Sequence, residues 1–253
     1  MSHTLKLVSS IALAATLGLS GCATTSDNSA GSDPRDPLEQ WNRDFQSFND
    51  TMDEHVVQPV AKGYQWVIPN FVNTGISNFF SNVGDIGVTV NDLLQFKIKQ
   101  GGADGVRFLA NSTIGLAGLF DVATPMGLSK HNEDFAQTLG AWGVPTGPYF
   151  IIPFLGPSTP RGLTGLVADA ALNPISYIGL DAVRYGLSGL KLIDVRADNL
   201  STSKVADEAA LDRYEFIRNA YLQRRNYLVH DGNPPLDEDE FFDEEAFMDD
   251  NDE

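Results

Sequence analysis

The N-terminal segment constrains this chain of 253 residues more than any other feature. It reads MSHTLKLVSSIALAATLGLSGC, with one Lys, no acidic residue and an apolar run over residues 7–19. This order is typical of a secretory signal, and the run is shorter than the roughly 20 residues that a transmembrane helix needs. We therefore predict that residues 1–21 are a signal peptide and that the remaining chain is exported.

Cys22 is the only cysteine in the sequence, so no internal disulfide can form. Leu19-Ser20-Gly21-Cys22 looks like a bacterial lipobox, in which the cysteine is acylated and becomes the first mature residue. The alternative is a signal peptide with a chance cysteine. A lipobox implies three acyl chains, and two already suffice for stable anchoring. We predict acyl chains on Cys22 and no cofactor. By the sorting rule of such lipoproteins, Ala23 after the cysteine, rather than Asp, favours delivery to the outer membrane.

The charge is distributed very unevenly along the chain. The formal net charge is -17, and residues 237–253 carry 11 of the 34 acidic residues with no Lys or Arg, which leaves -17 + 11 = -6 elsewhere. No basic stripe is present to meet phosphates, which argues against a nucleic-acid partner. We expect a flexible lipidated tether at 22–35, a folded domain at 36–230 and an acidic, disordered tail at 231–253. Alternatively, the aromatic residues of the tail form a short docking motif.

The start of the folded domain predicts a helix over residues 37–57. Asp36 is the expected N-cap, with Pro37 behind it and Glu39 at the capping-box position. Pro59 and Gly63 are expected to end the helix. Apolar residues recur at spacings of three and four and so share one helical face; they are Leu38, Trp41, Phe45, Phe48 and Met52.

Two further segments repeat this helical spacing. One carries Val72, Ile76, Phe79, Val83, Ile86, Val90 and Leu93, although several Asn and Gly residues within it are poor helix formers. We expect packing to stabilise this helix. The other is predicted over residues 204–229. Strand alternation is scarce, so the fold class is mainly α, with short strands possible near residues 147–155.

The segment 175–193 shows the reverse pattern, a narrow polar stripe on an otherwise apolar helix. The stripe consists of Asp181, Arg184, Ser188 and Lys191, at spacings of three, four and three. A surface helix of a soluble domain has an apolar stripe on a polar cylinder. Two interpretations stand: a core helix whose charges reach the surface at one edge, or a helix in lipid whose polar edge lines a water-accessible path.

Signatures of common enzymes and metal sites are missing from the sequence. There is no HExxH, no paired cysteine, no GxSxG and no GxxxxGK. A set assembled from Ser112, His131 and Asp134 stays open as a hydrolase alternative. The longest apolar candidate for a membrane span, residues 108–120, has only 13 residues. Membrane contact is therefore expected from the anchor and from amphipathic helices.

Several blocks of the sequence resemble the VacJ/MlaA family of lipoproteins. They are DPLEQWNRDFQSFND at 36–50, RFLANSTIGLAGLFDVA at 107–123, DFAQTLGAWGVPTGPYFIIPFLGPSTPRG at 134–162 and YEFIRNAYLQRR at 214–225. The resemblance covers the chain from Cys22 to about residue 230. Gly162 departs from it, since an acidic residue more often follows the arginine in the family, and this puts an ion pair there in doubt.

The resemblance implies a fold and a function. The fold is a ring of short amphipathic helices around an amphipathic channel, embedded in the outer membrane of a Gram-negative bacterium. The function is removal of mislocalised phospholipids from the outer leaflet, with trimeric porins and a soluble periplasmic lipid carrier as partners and no enzymatic activity. With no nucleotide site in the sequence, we expect passive transfer toward the carrier. The alternatives are a lipid-hydrolysing lipoprotein or a purely structural envelope lipoprotein.

Candidate site residues follow from these patterns. In the segment 147–162, GPYFIIPFLGPSTPRG, four prolines stiffen an apolar stretch and remove amide donors. We expect it to form a wall or lip of the channel, with Tyr149 near the membrane interface; a rigid loop closing the fold is the alternative. Its candidates are Tyr149, Pro153, Gly156 and Pro157. The lipid-path candidates are Asp181, Arg184, Ser188 and Lys191, then Arg107, Asn111 and Arg161, although each could instead be a helix cap or a structural ion pair.

Overall fold

Helices dominate the computed structural model, which describes residues 33–203 and 211–235. The described residues from Pro34 onward belong to one compact unit. The predicted signal peptide, the acylation site at Cys22, most of the tether and the tail beyond residue 235 lie outside the described residues and stay predictions. The mainly α fold class is confirmed.

The first helices form a longer continuous segment than the sequence predicts. Helix α1 spans Glu39–Met52, a π-helical turn spans Asp53–Val57, and α2 follows directly and spans Gln58–Val67. The expected end at Pro59 and Gly63 is wrong. Pro59 lies in the first turn of α2, where a missing amide donor costs least, and the preceding π-helical turn resets the hydrogen-bond register.

The predicted N-cap of α1 is also wrong. Leu38 occupies the cap position and makes no side-chain cap hydrogen bond. Asp36 is instead buried, and it accepts hydrogen bonds from Asn42 at 2.8 Å, from Arg218 at 3.1 Å and from the Tyr214 hydroxyl. Its carboxylate therefore joins the two ends of the domain, because these long-range donors compete successfully with a local cap.

Helix α3, Asn70–Leu94, and helix α4, Ile98–Thr113, pack against each other as a hairpin. The prediction of α3 is confirmed. However, its apolar stripe is only partly buried, and Leu93 is exposed. The helix buries a different and mostly polar face, made of Phe80, Asn82, Asp85, Val88, Asn91 and Asp92.

In the second half of the chain, the described residues form a β-hairpin and four helices. Helix α5 is Phe135–Ala141, followed by β1, Phe150–Ile152, and β2, Gly156–Ser158, which pair antiparallel with Ile151 opposite Pro157. Helix α6 spans Pro160–Leu172, a 3-10 turn spans Pro174–Tyr177, α7 spans Asp181–Asp198, and α8 spans Arg213–Val229. Of the short strands considered possible near residues 147–155, β1 lies within that range and β2 directly after it.

Two helix boundaries differ from those predicted. Helix α7 begins at Asp181 rather than at residue 175, because Pro174 starts a 3-10 turn that precedes it. Helix α8 begins at Arg213, with Asp212 as its N-cap accepting hydrogen bonds from Tyr214 and Glu215. Residues 204–210, where that helix was predicted to start, lie outside the described residues.

The distribution of polarity is inverted relative to a soluble domain. Carboxylates and amides are among the fully buried side chains, including Asp85, Asn91, Asp92 and Asp104. Large apolar side chains are exposed; Trp66 is 89%, Phe96 84% and Phe71 78% accessible. Extensive exposed apolar surface marks contact with a membrane or a partner.

The β1–β2 hairpin is fixed against α1 by two asparagines that lie two helical turns apart. Asn42 accepts from the Ile151 amide at 2.8 Å, and Asn49 accepts from the Phe154 amide at 2.7 Å and donates to the Ile152 carbonyl at 3.1 Å. These bonds satisfy backbone groups of the hairpin that have no strand partner. The proline-rich segment is therefore rigid because of its contacts as well as its prolines.

Candidate functional site

A cavity of about 450 Å³ lies between α3, the loop at residues 130–134, α6 and α7, and we call it the α3–α7 cavity. One part of its lining is apolar and consists of Phe80, Val83, Val88, Leu172 and Val195. The other part is charged and consists of Lys130, Glu133, Asp134, Asp169, Lys191, Asp194 and Asp198. The cavity is thus amphipathic, with more acidic than basic side chains.

Three of these charged groups are neutralised by neighbours in the protein. Lys130 pairs with the buried Asp85, and Glu133 accepts from Lys97 at 2.9 Å. Asp134 receives two hydrogen bonds from Arg225, at 2.6 and 2.9 Å, and caps the N-terminus of α5. Burial alone would raise the pKa of Asp134, but the Arg225 guanidinium and the cap lower it. These groups hold the walls of the cavity together.

The cavity acids of α6 and α7 accept hydrogen bonds from neutral donors among the described residues. Asp169 accepts from the Phe135 amide at 3.1 Å and from Asn91 at 3.1 Å, and Asp194 accepts from the hydroxyls of Tyr64 and Ser77, both at 3.0 Å. Burial raises the pKa of both carboxyls, and for Asp194 these hydrogen bonds oppose that rise. Such groups gain from an incoming positive charge.

Two other cavities lie beside the β1–β2 hairpin. One, of about 450 Å³, lies between α1, the hairpin, α7 and α8, and Gly156 and Pro157 belong to its lining. A smaller one, of about 240 Å³, is also lined by Pro157 and shares Asp134 and Asp169 with the α3–α7 cavity. The residues Asp134, Asp169 and Pro157 therefore lie where these cavities adjoin.

The predicted polar stripe of α7 is divided by the structure. Lys191 lines the α3–α7 cavity. Asp181 and Arg184 form an exposed ion pair at 2.6 Å, and Ser188 donates to the Arg184 carbonyl at 3.0 Å. A role for these four residues in a lipid path stays a prediction, and the geometry places Lys191 best for it.

Of the proposed wall residues, Tyr149 lies in a different environment from the one predicted. We expected its ring near a membrane interface, but it is fully buried beside the rings of Tyr214 and Tyr221. The backbone explains this position, because the Tyr149 amide donates to the Arg35 carbonyl at 2.8 Å and draws the residue under the N-terminal segment. Pro153 lies in the turn between β1 and β2.

Arg107 and Asn111 are buried members of a hydrogen-bonded network that includes Asp121. Arg107 donates to Thr124 at 3.0 Å, to Asp121 at 3.3 Å and to the Leu128 carbonyl. Asn111 accepts from the amides of Val122 and Ala123 at 2.8 and 3.0 Å. Both side chains fix the 121–128 loop on α4, which is the structural alternative that the sequence left open.

Asp121 is the acidic member of this network. Burial alone would raise the pKa of its carboxyl, but hydrogen bonds from Thr124 and Asn111 and the charge of Arg107 lower it to about 2. Its carboxylate is therefore ionised at any physiological pH, and it balances the buried guanidinium.

Arg161 is 8% accessible and donates to the Val144 carbonyl at 3.0 Å. Burial and the nearby Arg225 lower the pKa of its guanidinium. Its neighbour Gly162 has little free space, because an added Cβ would approach the Tyr221 hydroxyl to 2.8 Å. An acidic side chain after the arginine would not fit this packing without a shift of Tyr221.

The described contacts do not join Ser112, His131 and Asp134 into one set. Ser112 accepts from Asn82 at 2.9 Å, and His131 contacts Asp104 at 2.9 Å. Asp134 is bound by Arg225 instead. The three candidate groups thus have separate partners.

Sequence reasoning missed the cavity acids Asp169, Asp194 and Asp198. The last two lie three and seven residues after Lys191, so the predicted stripe continues beyond the end that we assigned to the helix. Extending the same spacing would have found them. Asp169 offered no such signal, because it is a single acid in an apolar run.

Across residues 33–203 and 211–235, no helix has both the length and the apolar content to cross a bilayer. In the same part of the chain, no group of three or more His, Cys, Asp or Glu residues is arranged to hold a metal ion.

Comparisons with known proteins give one consistent result. A sequence model described as MlaA lipoprotein matches residues 34–228. "Intermembrane phospholipid transport system lipoprotein MlaA" of Haemophilus influenzae is 32% identical, over 87% of this chain and 90% of the relative. The protein of that name from Escherichia coli K12 is 33% identical, over 89% of each chain.

A solved structure gives the same match in three dimensions. It is described as "Structural basis for maintenance of bacterial outer membrane lipid asymmetry". Its chain superposes with a TM-score of 0.69 at 32% identity, over 77% of this chain and 98% of the matched chain.

Proposed function

The chain belongs to the MlaA lipoprotein family, and from this premise we propose that it moves phospholipids between membranes by way of the α3–α7 cavity. Its relatives are named as lipoproteins of an intermembrane phospholipid transport system. The transported molecule is amphipathic, and the cavity is lined by both charged and apolar side chains.

The amphipathic lining is the observation that supports this proposal. A phospholipid headgroup cannot enter hydrocarbon cheaply, since the idealised cost of moving an ion into a medium of low dielectric constant is of order 20 kcal/mol. Lys191, Asp194 and Asp198 supply polar contacts to the headgroup. Val83, Val88 and Leu172 keep the first part of the acyl chains in apolar surroundings. The cavity thereby removes much of the barrier to transfer.

The exposed apolar surface supports placement in a membrane. Side chains such as Trp66, Phe71 and Phe96 are better solvated by lipid than by water. Together with acyl chains on Cys22, they would hold the domain in the outer membrane of a Gram-negative bacterium, with the helices arranged in a ring around the path. Trimeric porins and a soluble periplasmic carrier complete this proposal, and transfer to the carrier would set the direction.

A blocking substitution tests the proposal. Gly87 lines the cavity, and a Cβ added there meets no atom within 4 Å. Gly87→Phe should fill the cavity without a backbone clash, whereas Gly87→Ala should leave it open. In cells that lack the protein, we expect Gly87→Ala to restore a low outer-leaflet phospholipid content at matched membrane levels, and Gly87→Phe to fail.

A matched bulky control lies on another helix. Gly102 on α4 is exposed and also has open space around an added Cβ. Gly102→Phe should complement as well as the wild type. If Gly87→Phe complements equally well, the lipid does not pass through this cavity. If the wild type does not change outer-leaflet lipid at all, a purely structural role is the better description.

A further inference from the structure

We propose that the α3–α7 cavity prefers phospholipids whose headgroup carries a primary amine, with the ammonium at Asp194 and Asp198 and the phosphate at Lys191. This inference rests on the proposed function and names the lipid class of that same site. It follows from which charges in the cavity the protein itself neutralises.

Asp194 is the deepest of these charges. Its side chain is 2% accessible, and both of its oxygens are held by hydroxyl donors, from Tyr64 and Ser77 at 3.0 Å each. Within the described part of the chain, no cation lies at ion-pair distance from it. A carboxylate held in one orientation by neutral donors can still accept from a further, charged donor.

Asp198 lies one turn further along α7 and extends the same acidic surface. It accepts from Asn73 at 2.9 Å, and its other oxygen lies 3.3 Å from the Ser77 hydroxyl. This hydroxyl therefore lies between the two carboxylates, and its single proton can be donated to only one of them at a time. Two carboxylates beside one hydroxyl repel each other unless a positive charge is shared between them. A primary ammonium has three N–H donors and can bridge both.

Lys191 completes the site one turn before Asp194. Residues three and seven positions apart on a helix lie on the same face, so Lys191, Asp194 and Asp198 share one side of α7. The other cavity lysine, Lys130, is already paired with Asp85. Lys191 is therefore the cation left for a phosphate among the described residues that line the cavity.

The balance of charge selects the headgroup. The acids without a cation at ion-pair distance are Asp169, Asp194 and Asp198, against the single free cation of Lys191 among the described lining residues. An anionic headgroup such as phosphoglycerol would meet Lys191 but also the acids. Phosphoethanolamine carries its own ammonium to them. Phosphocholine brings charge without N–H donors and cannot replace the missing hydrogen bonds.

The test measures which lipid the purified protein retains. The complete lipoprotein is equilibrated with vesicles of equal phosphatidylethanolamine and phosphatidylglycerol, re-isolated in detergent, and its bound lipid is quantified by mass spectrometry. We expect a severalfold enrichment of phosphatidylethanolamine in the wild type. A parallel sample with phosphatidylcholine in place of phosphatidylethanolamine should show no comparable enrichment.

Three variants locate the preference. Asp194→Asn should bring the lipid ratio close to that of the vesicles. Asp198→Asn should shift it in the same direction, and this exposed site keeps the test valid if the buried variant does not fold. Lys191→Met should lower the retention of both lipids. Asp44→Asn, on the exposed face of α1, should retain the wild-type ratio.

Failure of this inference is distinguishable from failure of the proposed function. If the wild type retains lipid, and Gly87→Phe retains less, but the lipid ratio equals that of the vesicles, the headgroup preference is wrong and the cavity remains the path. An enrichment that persists unchanged in both aspartate variants also overturns the preference. If wild type and Gly87→Phe retain equally little lipid, the function assigned to the cavity is wrong.

Discussion

The buried polar network of the α3–α4 hairpin and the cavity face of α7 both contain charged side chains. They differ in whether these charges have a counter-ion within the protein. In the hairpin, Arg107 donates to Asp121, Thr124 and the Leu128 carbonyl. On α7, the described partners of Asp194 are two hydroxyl groups, and Lys191 lines a cavity. Charges that neutralise each other hold the fold, and charges left without a counter-ion are available to a ligand. Four predictions test this difference.

The largest effect is expected for Arg107→Leu. Removing the guanidinium leaves Asp121 without a counter-ion and the Leu128 carbonyl without its donor. Breaking one partner of a buried pair costs about 3–5 kcal/mol. We expect this loss in the free energy of unfolding, measured by denaturant titration in detergent. Arg184→Met is the control, since its ion pair with Asp181 lies at the surface; equal loss in both variants would remove the distinction.

Asn111→Ala should have the next largest effect. The buried Ala123 amide would lose its acceptor, and the Val122 amide would keep only its contact with the Phe120 carbonyl at 3.1 Å. An unsatisfied buried polar group costs about 1–3 kcal/mol. The same denaturant titration measures it, and faster amide hydrogen exchange at these two positions should accompany it. Unchanged protection there would mean that Asn111 does not hold the loop.

A smaller, pH-dependent effect is expected at Asp92. Burial, then the neighbouring Asp104 and Glu133 carboxyls, raise the pKa of Asp92 to about 7, while a hydrogen bond from Gln100 opposes this rise. The folded state therefore binds more protons than the unfolded state between about pH 4 and pH 7. Stability should fall as pH rises through that interval and then level off. We expect the Tm to fall by a few degrees between pH 5 and pH 8.

The Asp92→Asn variant isolates this contribution. Asparagine is uncharged and can donate to Asp104, as a protonated Asp92 does, while the His131 contact to Asp104 stays in place. We expect the fall in Tm between pH 5 and pH 8 to become smaller in this variant and to remain in Asp44→Asn. If the Tm of Asp92→Asn falls with pH as steeply as that of the wild type, a group other than Asp92 takes up the proton.

The smallest effect on stability is expected for Lys191→Met. Its ammonium has no ion-pair partner among the described residues, so removing the charge breaks no contact within the protein. Substitutions of this kind usually stay within about 0.5 kcal/mol. The comparison is sharpest if this variant unfolds like the wild type yet retains less lipid. A loss of stability as large as that of Arg107→Leu would show that Lys191 stabilises the fold as Arg107 does.

Much of the helical pattern was predictable because it depends on local spacing. The apolar repeats located α1 and α3, and the scarcity of alternation indicated a mainly α fold. The errors fell where long-range contacts outweigh local rules. Asp36 does not cap α1, because its carboxylate accepts hydrogen bonds from Arg218 and Tyr214. Pro59 does not end the helix, because a π-helical turn precedes it.

The candidate site was predictable only in part. The polar stripe of α7 was visible in the sequence, but its spacing could not separate Lys191, which lines the cavity, from Asp181 and Arg184, which pair at the surface. Arg107 and Asn111 had the residue types of a lipid path but lie in a buried hydrogen-bonded network. Whether a charge has a partner depends on residues distant in sequence.

The sequence by itself determined the export signal pattern, the lone Cys22, the helical periodicity and the family, since each is written in residue order and local spacing. Only the tertiary structure decided which polar residues are sealed inside and which face a cavity. The physical reason is that neutralisation of a buried charge requires a partner within a few ångströms. Such partners come from other elements, as Asp134 and Arg225 do across 91 positions of the chain.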